Sequence, residues 1–292
     1  MIQAYIVKTA AGLEPVLAAE LREMGATGIR ELKRAVAFDG DRRMLYRANY
    51  ELRTALRVLI PVHAFSAYSE RDLYEGVYDI DWLQYMSVKD TLAIDTVVTG
   101  EVFKHSHYVG LLAKDAIVDQ FRERTQRRPD VNTSSPTLRI HIHIQGTRVE
   151  VALDASGDSL HRRNYRKDTV EAPLSEVLAA GMVLLSGWDK KSPFIDPMCG
   201  SGTIAIEAAM MAVGMPPQHK REGFGFFKWP DFDRKVWEDV KGEADAKIIQ
   251  TLDFPIVASD IESRARNATT LNLLTAQLEK VVRVEKAAFE KA

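Results

Sequence analysis

The chain has 292 residues, 46% of them hydrophobic, and a formal net charge of −2 from 39 basic and 41 acidic side chains. That length suits two or three globular domains, and the balanced charge means that any basic, nucleic-acid-binding surface must be local. No run of ~18 uncharged apolar residues occurs, so no membrane-spanning helix is expected; the first residues lack a signal-peptide pattern, and the single cysteine excludes an internal disulfide framework and fits a reducing cytoplasm.

In chain order, residues 2–9 read as a strand. Over 12–24, Leu13, Val16, Leu17, Leu21 and Met24 share one helical face, and Gly25 can end that helix. Residues 29–38 read as a second strand. Asp41 can cap a helix running through Met44, Leu45, Ala48 and Leu52. Residues 57–67 are strand-like, so the N-terminal order is β-α-β-α-β, a small α/β layer. A short helix is expected over 80–86 and a strand over 91–99. A long helix then buries Val109, Leu112, Ala113, Ala116, Ile117 and Phe121.

A hairpin follows. Leu138, Ile140, Ile142 and Ile144 alternate with Arg139, His141 and His143; Gln145-Gly146 turns; Val149, Val151 and Leu153 return. His141 and His143 share a strand face, but no third ligand accompanies them with metal-binding spacing, so they read as a solvated face and no metal is expected. Arg122, Arg124, Arg127 and Arg128 gather at the end of the long helix, and Lys104, His105 and Ser106 precede it. The densest basic run is HRRNYRK, residues 161–167. After it, Ala172-Pro173 opens an apolar helix.

The most informative stretch is SPFIDPMCGSGTIAIEAAMMA, residues 192–212. A short apolar run ends in Asp196, a small-residue loop follows, and a helix begins near Thr203. Gly200 and Gly202 let the backbone pass close to a ligand, and the helix start offers unpaired N–H groups. The loop has no lysine, so it is not a phosphate loop, and position 205 is Ala, so a dinucleotide fingerprint fits only loosely. Asp196 suits a cation such as the amino group of an amino-acid-like cofactor. Cys199 has no histidine near it in sequence and reads as structural. Beyond the loop, residues 215–230 form a Gly/Pro/aromatic insert expected to fold over the sheet edge. A charged helix over 232–249, a strand 256–259 ending in Asp260, a helix 262–273 and a strand 281–284 complete the pattern.

DPMCGSGT resembles motif I of class I S-adenosylmethionine-dependent methyltransferases. Taken with Gly12-Leu13-Glu14-Pro15, SERDLYEGVYDI (69–80), Lys114-Asp115-Ala116-Ile117-Val118-Asp119 and LDASGDSLH (153–161), the chain resembles the THUMP-domain RNA methyltransferases, closest to those acting on guanine N2 of large-subunit (23S) ribosomal RNA. The resemblance implies an α/β protein of three parts: a ferredoxin-like domain over 1–65, a THUMP RNA-binding domain over 66–158, and a Rossmann-like methyltransferase domain over 159–292. It implies S-adenosylmethionine held by Asp196, Pro197, Met198, Cys199, Gly200, Ser201, Gly202 and Thr203. Asp260 would accept from the ribose, Ile261 would lie against adenine, and Tyr165, Ala172 and Pro173 would contribute from ahead of the domain. It implies RNA contacts from Lys104, His105, Ser106, Lys114, Arg122, Arg124, Arg127, Arg128, Arg162, Arg163 and Arg166.

Three departures stand out. Asn164 occupies a position where the family usually has Gly. Residues 286–289, KAAF, carry no acid for the adenine amino group. No Asn-Pro-Pro triplet is present, although the family uses one to align the target amino group, and about three of seven strands are counted. The chain therefore resembles a C-terminally shortened enzyme, unable by itself to transfer a methyl group. Two other readings are an RNA-binding module with a vestigial cofactor lobe and a nicotinamide enzyme, the latter because Asp260 also fits a ribose-binding acid.

Overall fold

The computed structural model describes residues 2–169, 171 and 173–291. The first unit runs β1 (Gln3–Lys8), α1 (Glu14–Glu23), β2 (Thr27–Leu32), β3 (Ala35–Gly40), α2 (Arg42–Glu51) and β4 (Arg57–Ser66). This is the βαββαβ order of a ferredoxin-like unit. The single strand expected over 29–38 is in fact a hairpin. Leu32 pairs with Ala35 across Lys33 and Arg34, and Arg34 takes a left-handed φ of 56°. Asp41 caps α2 as expected, accepting from Met44 N at 2.8 Å.

The second unit has α3 (Glu70–Tyr78), β5 (Thr91–Thr99), α4 (Ser106–Thr125), β6 (Asp130–Val131), β7 (Leu138–Gln145) and β8 (Arg148–Asp154). The helix expected over 80–86 is only a 3₁₀ turn at Trp82–Gln84; the helix itself lies upstream as α3, where the Ser69 hydroxyl accepts from Asp72 N at 3.2 Å. Gly76 lies inside α3. Its place in a helix is explained by packing, because a Cβ there would lie 2.1 Å from the ring of Phe65. The two units share one sheet, ordered β2-β3-β1-β4-β8-β7-β5-β6, so the boundary drawn near residue 65 falls at the end of the strand that joins them. β4 and β8 pair antiparallel from Leu59↔Asp154 to Ser66↔Arg148.

The third unit has α5 (Glu176–Leu185), β9 (Phe194–Asp196), α6 (Thr203–Ala212), α7 (Arg234–Asp245), β10 (Ile256–Ser259), α8 (Ser263–Ala276) and β11 (Val282–Glu285). Its strands form a parallel sheet ordered β11-β10-β9. α5 begins later than Ala172-Pro173 suggested, at Glu176 after Ser175. The aromatic insert does not cover the edge of this sheet. Phe224 and Phe226, together with Trp237 of α7, instead join the core of the first unit beside Tyr46 and Tyr50. Tyr46 and Phe226 stack at 4.5 Å, and Tyr50 donates to Asp245 at 2.6 Å. The driving force is apolar area: each fully buried aromatic of this kind contributes about 2–3 kcal/mol. No helix among the described residues is long and apolar enough to cross a membrane.

Candidate functional site

The glycine loop lies between β9 and α6 and is tied down from two sides. Cys199 N donates to Ser259 O at 3.0 Å, and Gly200 N donates to Asp260 Oδ2 at 3.0 Å, so the end of β10 holds it from one side. From α8, Thr269 donates to Gly200 O at 2.9 Å and Asn272 to Ser201 O at 3.0 Å. Gly202 has a left-handed φ of 82°, and a Cβ on it would meet Thr269 Cγ2 at 2.7 Å. Glycine is thus required there both by the backbone and by the close approach of α8.

Asp196 is 6% exposed, and its Oδ2 is buried without a hydrogen-bond partner. Burial pushes its carboxyl up, against the backbone N–H groups of Met198 and Ala205 and with a further push from Asp260. A buried carboxylate oxygen left unpaired costs ~1–3 kcal/mol or more unless a donor arrives. The arrangement therefore suits an incoming cationic donor. Asp260 uses both oxygens on the backbone, Oδ2 for Gly200 N and Oδ1 for Glu262 N at 2.9 Å. Each oxygen keeps a second lone pair for a hydroxyl donor. Beside these acids, Met198 is 68% and Ile261 60% exposed, an apolar surface at the mouth of the loop.

The remaining loop residues are walls. Cys199, Ser201 and Thr203 are buried, as is Gly202, while Pro197 and Gly200 are partly open. Burial pushes the Cys199 thiol up to about 11, with smaller pushes from Asp196 and Asp260. Such a thiol stays protonated at neutral pH and is a poor nucleophile.

The basic run 161–167 divides into inner and outer members, which corrects two expectations. Arg163 is 1% exposed; it pairs with Glu207 on α6 at 3.4 Å and donates to Leu160 O at 2.6 Å and to Arg53 O. It cannot reach a phosphate, because its guanidinium is consumed inside the protein. Tyr165 is also 1% exposed, with its hydroxyl on Glu207 at 3.1 Å, so it supports α6 rather than touching a cofactor. Arg166 pairs with Glu176 at 3.1 Å and donates to Thr203 Oγ1 at 3.2 Å, fastening the run to the start of α6. Asn164 has a φ of 65°, so Asn here adopts the left-handed backbone that glycine adopts readily. Arg162 is the outer member, exposed and 4.0 Å from Asp158. Pro173 lines a cavity of about 540 Å³ with His161, Arg162 and Arg166. Ala172 lies outside the described residues.

The other basic residues do not form one patch. Lys104, His105 and Ser106 sit at the start of α4 and Arg122, Arg124, Arg127 and Arg128 at its far end, ~30 Å away for a helix of this length. Lys104 pairs with Glu101 at 3.6 Å, Lys114 with Asp115 at 2.7 Å, Arg122 with Asp119 at 3.1 Å and Arg124 with Asp81 at 2.6 Å. Arg127 and Arg128 are exposed. His141 and His143 lie on the sheet face opposite the buried isoleucines of β7, and His143 is 3.5 Å from Glu150.

Glu207 and Asn272 are the positioning residues that sequence reasoning missed. A lone acid in the apolar helix IAIEAAMMA was a signal for a buried partner. Asn272 also accepts from Lys167 N at 2.8 Å, linking the basic run to the glycine loop.

Comparison with known proteins follows the same three-part division. Residues 4–59 match the family described as RlmL ferredoxin-like domain, 67–154 the THUMP domain, and 163–291 the RMKL-like, methyltransferase domain. The chain is 39% identical over 274 residues to "Putative RNA methyltransferase slr0064" of Synechocystis sp., covering 94% of this chain and 71% of that protein. It is 36% identical over 296 residues to the ribosomal RNA large subunit methyltransferase K/L of Magnetococcus marinus, covering 98% of this chain and 41% of that protein. The solved structure of SMU.472 complexed with SAH superimposes with a TM-score of 0.88 at 29% identity, covering 99% of this chain and 76% of that one.

Proposed function

The chain belongs to the family of THUMP-containing, RMKL-like methyltransferases, and from that premise we propose that it serves S-adenosylmethionine-dependent methylation of large-subunit ribosomal RNA at guanine N2, in the cytoplasm. The observation that carries the reading is the unpartnered Oδ2 of buried Asp196 at the mouth of a glycine loop. The residues present fit the cofactor. Asp196 would accept from its amino group, Asp260 from its ribose hydroxyls through the free lone pairs, and Met198 and Ile261 would lie against the face of its adenine ring. When bound, S-adenosylmethionine supplies a methyl group activated on a positively charged sulfur. The protein's contribution is to hold and orient, which is where most of the rate in such a displacement originates.

Gly200 and Gly202 keep the loop close to the ligand, and Thr269, Asn272 and Arg166 keep the loop still. The RNA would be anchored by the exposed cations Arg127, Arg128 and Arg162, through contacts to phosphate that give affinity and register. No Asn-Pro-Pro triplet occurs in these 292 residues. We therefore propose that this chain on its own binds the cofactor without aligning a guanine amino group, and that label transfer from tritiated S-adenosylmethionine to protein-free ribosomal RNA will stay at background.

Titration calorimetry with S-adenosylhomocysteine tests the assignment. The chain should bind it, and Asp196→Asn should weaken binding about tenfold or more, the worth of a charged hydrogen bond at ~1.5–3 kcal/mol. Equal affinity in the two proteins would remove Asp196 from the site. Absence of binding by the unmodified chain would favour the vestigial-lobe reading.

A further inference from the structure

Away from the glycine loop, a cleft of about 190 Å³ opens between the loop ahead of β7 and the aromatic insert. Three cations converge on it from distant parts of the sequence. Arg139, on β7, is 12% exposed; it reaches Asp95 at 3.2 Å and Thr133 O at 2.9 Å, and its Nε is buried with no partner. Arg221 donates to the carbonyls of Gly223, Ser159, Ser156 and Asp158 at 2.8, 3.4, 2.9 and 2.7 Å and lies 5.0 Å from the ring of Phe224. Lys228 Nζ donates to Ser135 O at 3.1 Å, to Ser135 Oγ at 2.8 Å and to Pro136 O at 2.9 Å.

Among the described residues, neither Arg221 nor Lys228 has a carboxylate within ion-pair distance. The acid lining the cleft, Asp158, stands 4.0 Å from Arg162. Arg221 is desolvated strongly enough that burial, offset in part by Asp158 and Asp154, brings it down to about 10. Arg221, withdrawn from water and satisfied by neutral oxygens, and the exposed Lys228 beside it leave an excess of positive charge that an anion would relieve. Gly157 and Gly225 also line the cleft and meet so closely that a Cβ on Gly157 would lie 3.0 Å from Gly225 N.

We propose that this cleft seats a phosphate group of the RNA backbone. The proposal rests on the RNA-methyltransferase reading above. A tetrahedral oxyanion, with several acceptor oxygens, matches guanidinium donors on one side and an ammonium on another better than a planar carboxylate does. On its rim, Asp158 stands 4.0 Å from Arg162, which lines a second cavity with Arg166, and Arg166 donates to Thr203 Oγ1 at 3.2 Å at the start of α6.

The test uses the whole chain and Lys228→Gln, an exposed position whose substitution leaves both cores untouched. Affinity for a protein-free large-subunit ribosomal RNA fragment is measured against potassium chloride concentration. In parallel, inorganic phosphate is titrated while the amide resonances of Gly157, Gly223 and Gly225 are followed. Lys228→Gln should lower RNA affinity about threefold to tenfold at 0.1 M salt and reduce the salt slope by about one. Phosphate should shift those amides in the parent and shift them less in the variant. Arg139→Gln provides a second reading of the same slope. Unchanged affinity and slope in both variants would overturn the proposal. Phosphate-induced shifts with an unchanged RNA slope would overturn it too, by marking a site for free anions. If the parent binds S-adenosylhomocysteine but no RNA, the RNA reading fails first, and the ligand proposed here fails with it.

Discussion

Arg163 and Glu207 form an ion pair at 3.4 Å in which both side chains are fully shut off from solvent. Arg163 belongs to the segment joining the RNA-type units to the methyltransferase unit, and Glu207 lies one turn into α6, just past the glycine loop. Burial raises the Glu207 carboxyl, while Arg163 and Arg53 pull it back. The pair thus fastens the joint between units to the helix that carries the loop.

Glu207→Ala should cost about 3–5 kcal/mol, because it strands the buried Arg163 charge. Urea denaturation followed by tryptophan fluorescence measures it. The double variant Glu207→Leu/Arg163→Met should lose less than the two single variants added together. A single-variant loss below about 1 kcal/mol would mean that the pair is solvated and contributes little.

Asp260→Ala removes acceptors from both Gly200 N and Glu262 N. Cofactor affinity should fall about tenfold or more, and the melting temperature should fall by several degrees, as expected for a loss of ~1–2 kcal/mol. Asp260→Asn should restore part of the stability but not the affinity. If Asp260→Ala binds S-adenosylhomocysteine as tightly as the parent, the ribose role is wrong.

His141 gives the protein an acid sensitivity. Burial holds its pKa down at about 4 against an ordinary 6.5, helped by Lys8, His143 and Arg57 and opposed by Asp95. The unfolded chain therefore binds this proton first as pH falls from 6.5 toward 4, and stability falls with it. Between pH 7 and 5 the loss from this one residue should be on the order of 1–2 kcal/mol. His141→Asn should flatten the stability profile in that window by the same amount; a profile parallel to the parent's would show that the imidazole stays hydrated.

At the far end of α4, Arg127 and Arg128 are open to solvent, whereas Arg124 is held by Asp81 at 2.6 Å. Reversing Arg127 and Arg128 to Glu should reduce the salt slope of RNA binding by about two. Adding Arg124→Glu should change it little further. If the first pair leaves the slope untouched, this helix end is not part of the RNA surface.

What the sequence disclosed, and what it hid, divides by distance along the chain. The 138–154 hairpin and the long helix were legible because period 2 and period 3.6 are written in neighbouring residues. The glycine loop was legible because its chemistry is compressed into eight positions. The hairpin at Lys33-Arg34 was not, since Arg34 supplies a left-handed turn without Gly or Asn to announce it. Arg163 looked like one more solvated cation in a basic run, because its partner is on a different helix. The cluster of Arg139, Arg221 and Lys228 exists only after folding brings the hairpin and the insert together. Phe224 and Phe226 stood out as an apolar cluster expected to lie over a sheet edge, and nothing near them says that they complete a core built around Tyr46 and Tyr50.

That last packing sets an order of events during synthesis. The first unit occupies the opening residues, yet its core also contains Phe226, Trp237, Val240 and Ala244. The aromatic face of α2 therefore waits uncovered while the ribosome makes nearly two hundred further residues, including the whole second unit and the glycine loop. The nascent first unit is a platform with one wall missing, at risk of sticky encounters until α7 arrives. When α7 docks, it closes that wall and anchors the late-made lobe to the earliest-made one in a single event, so the amino-terminal unit reaches its finished form only when the cofactor lobe is well under construction.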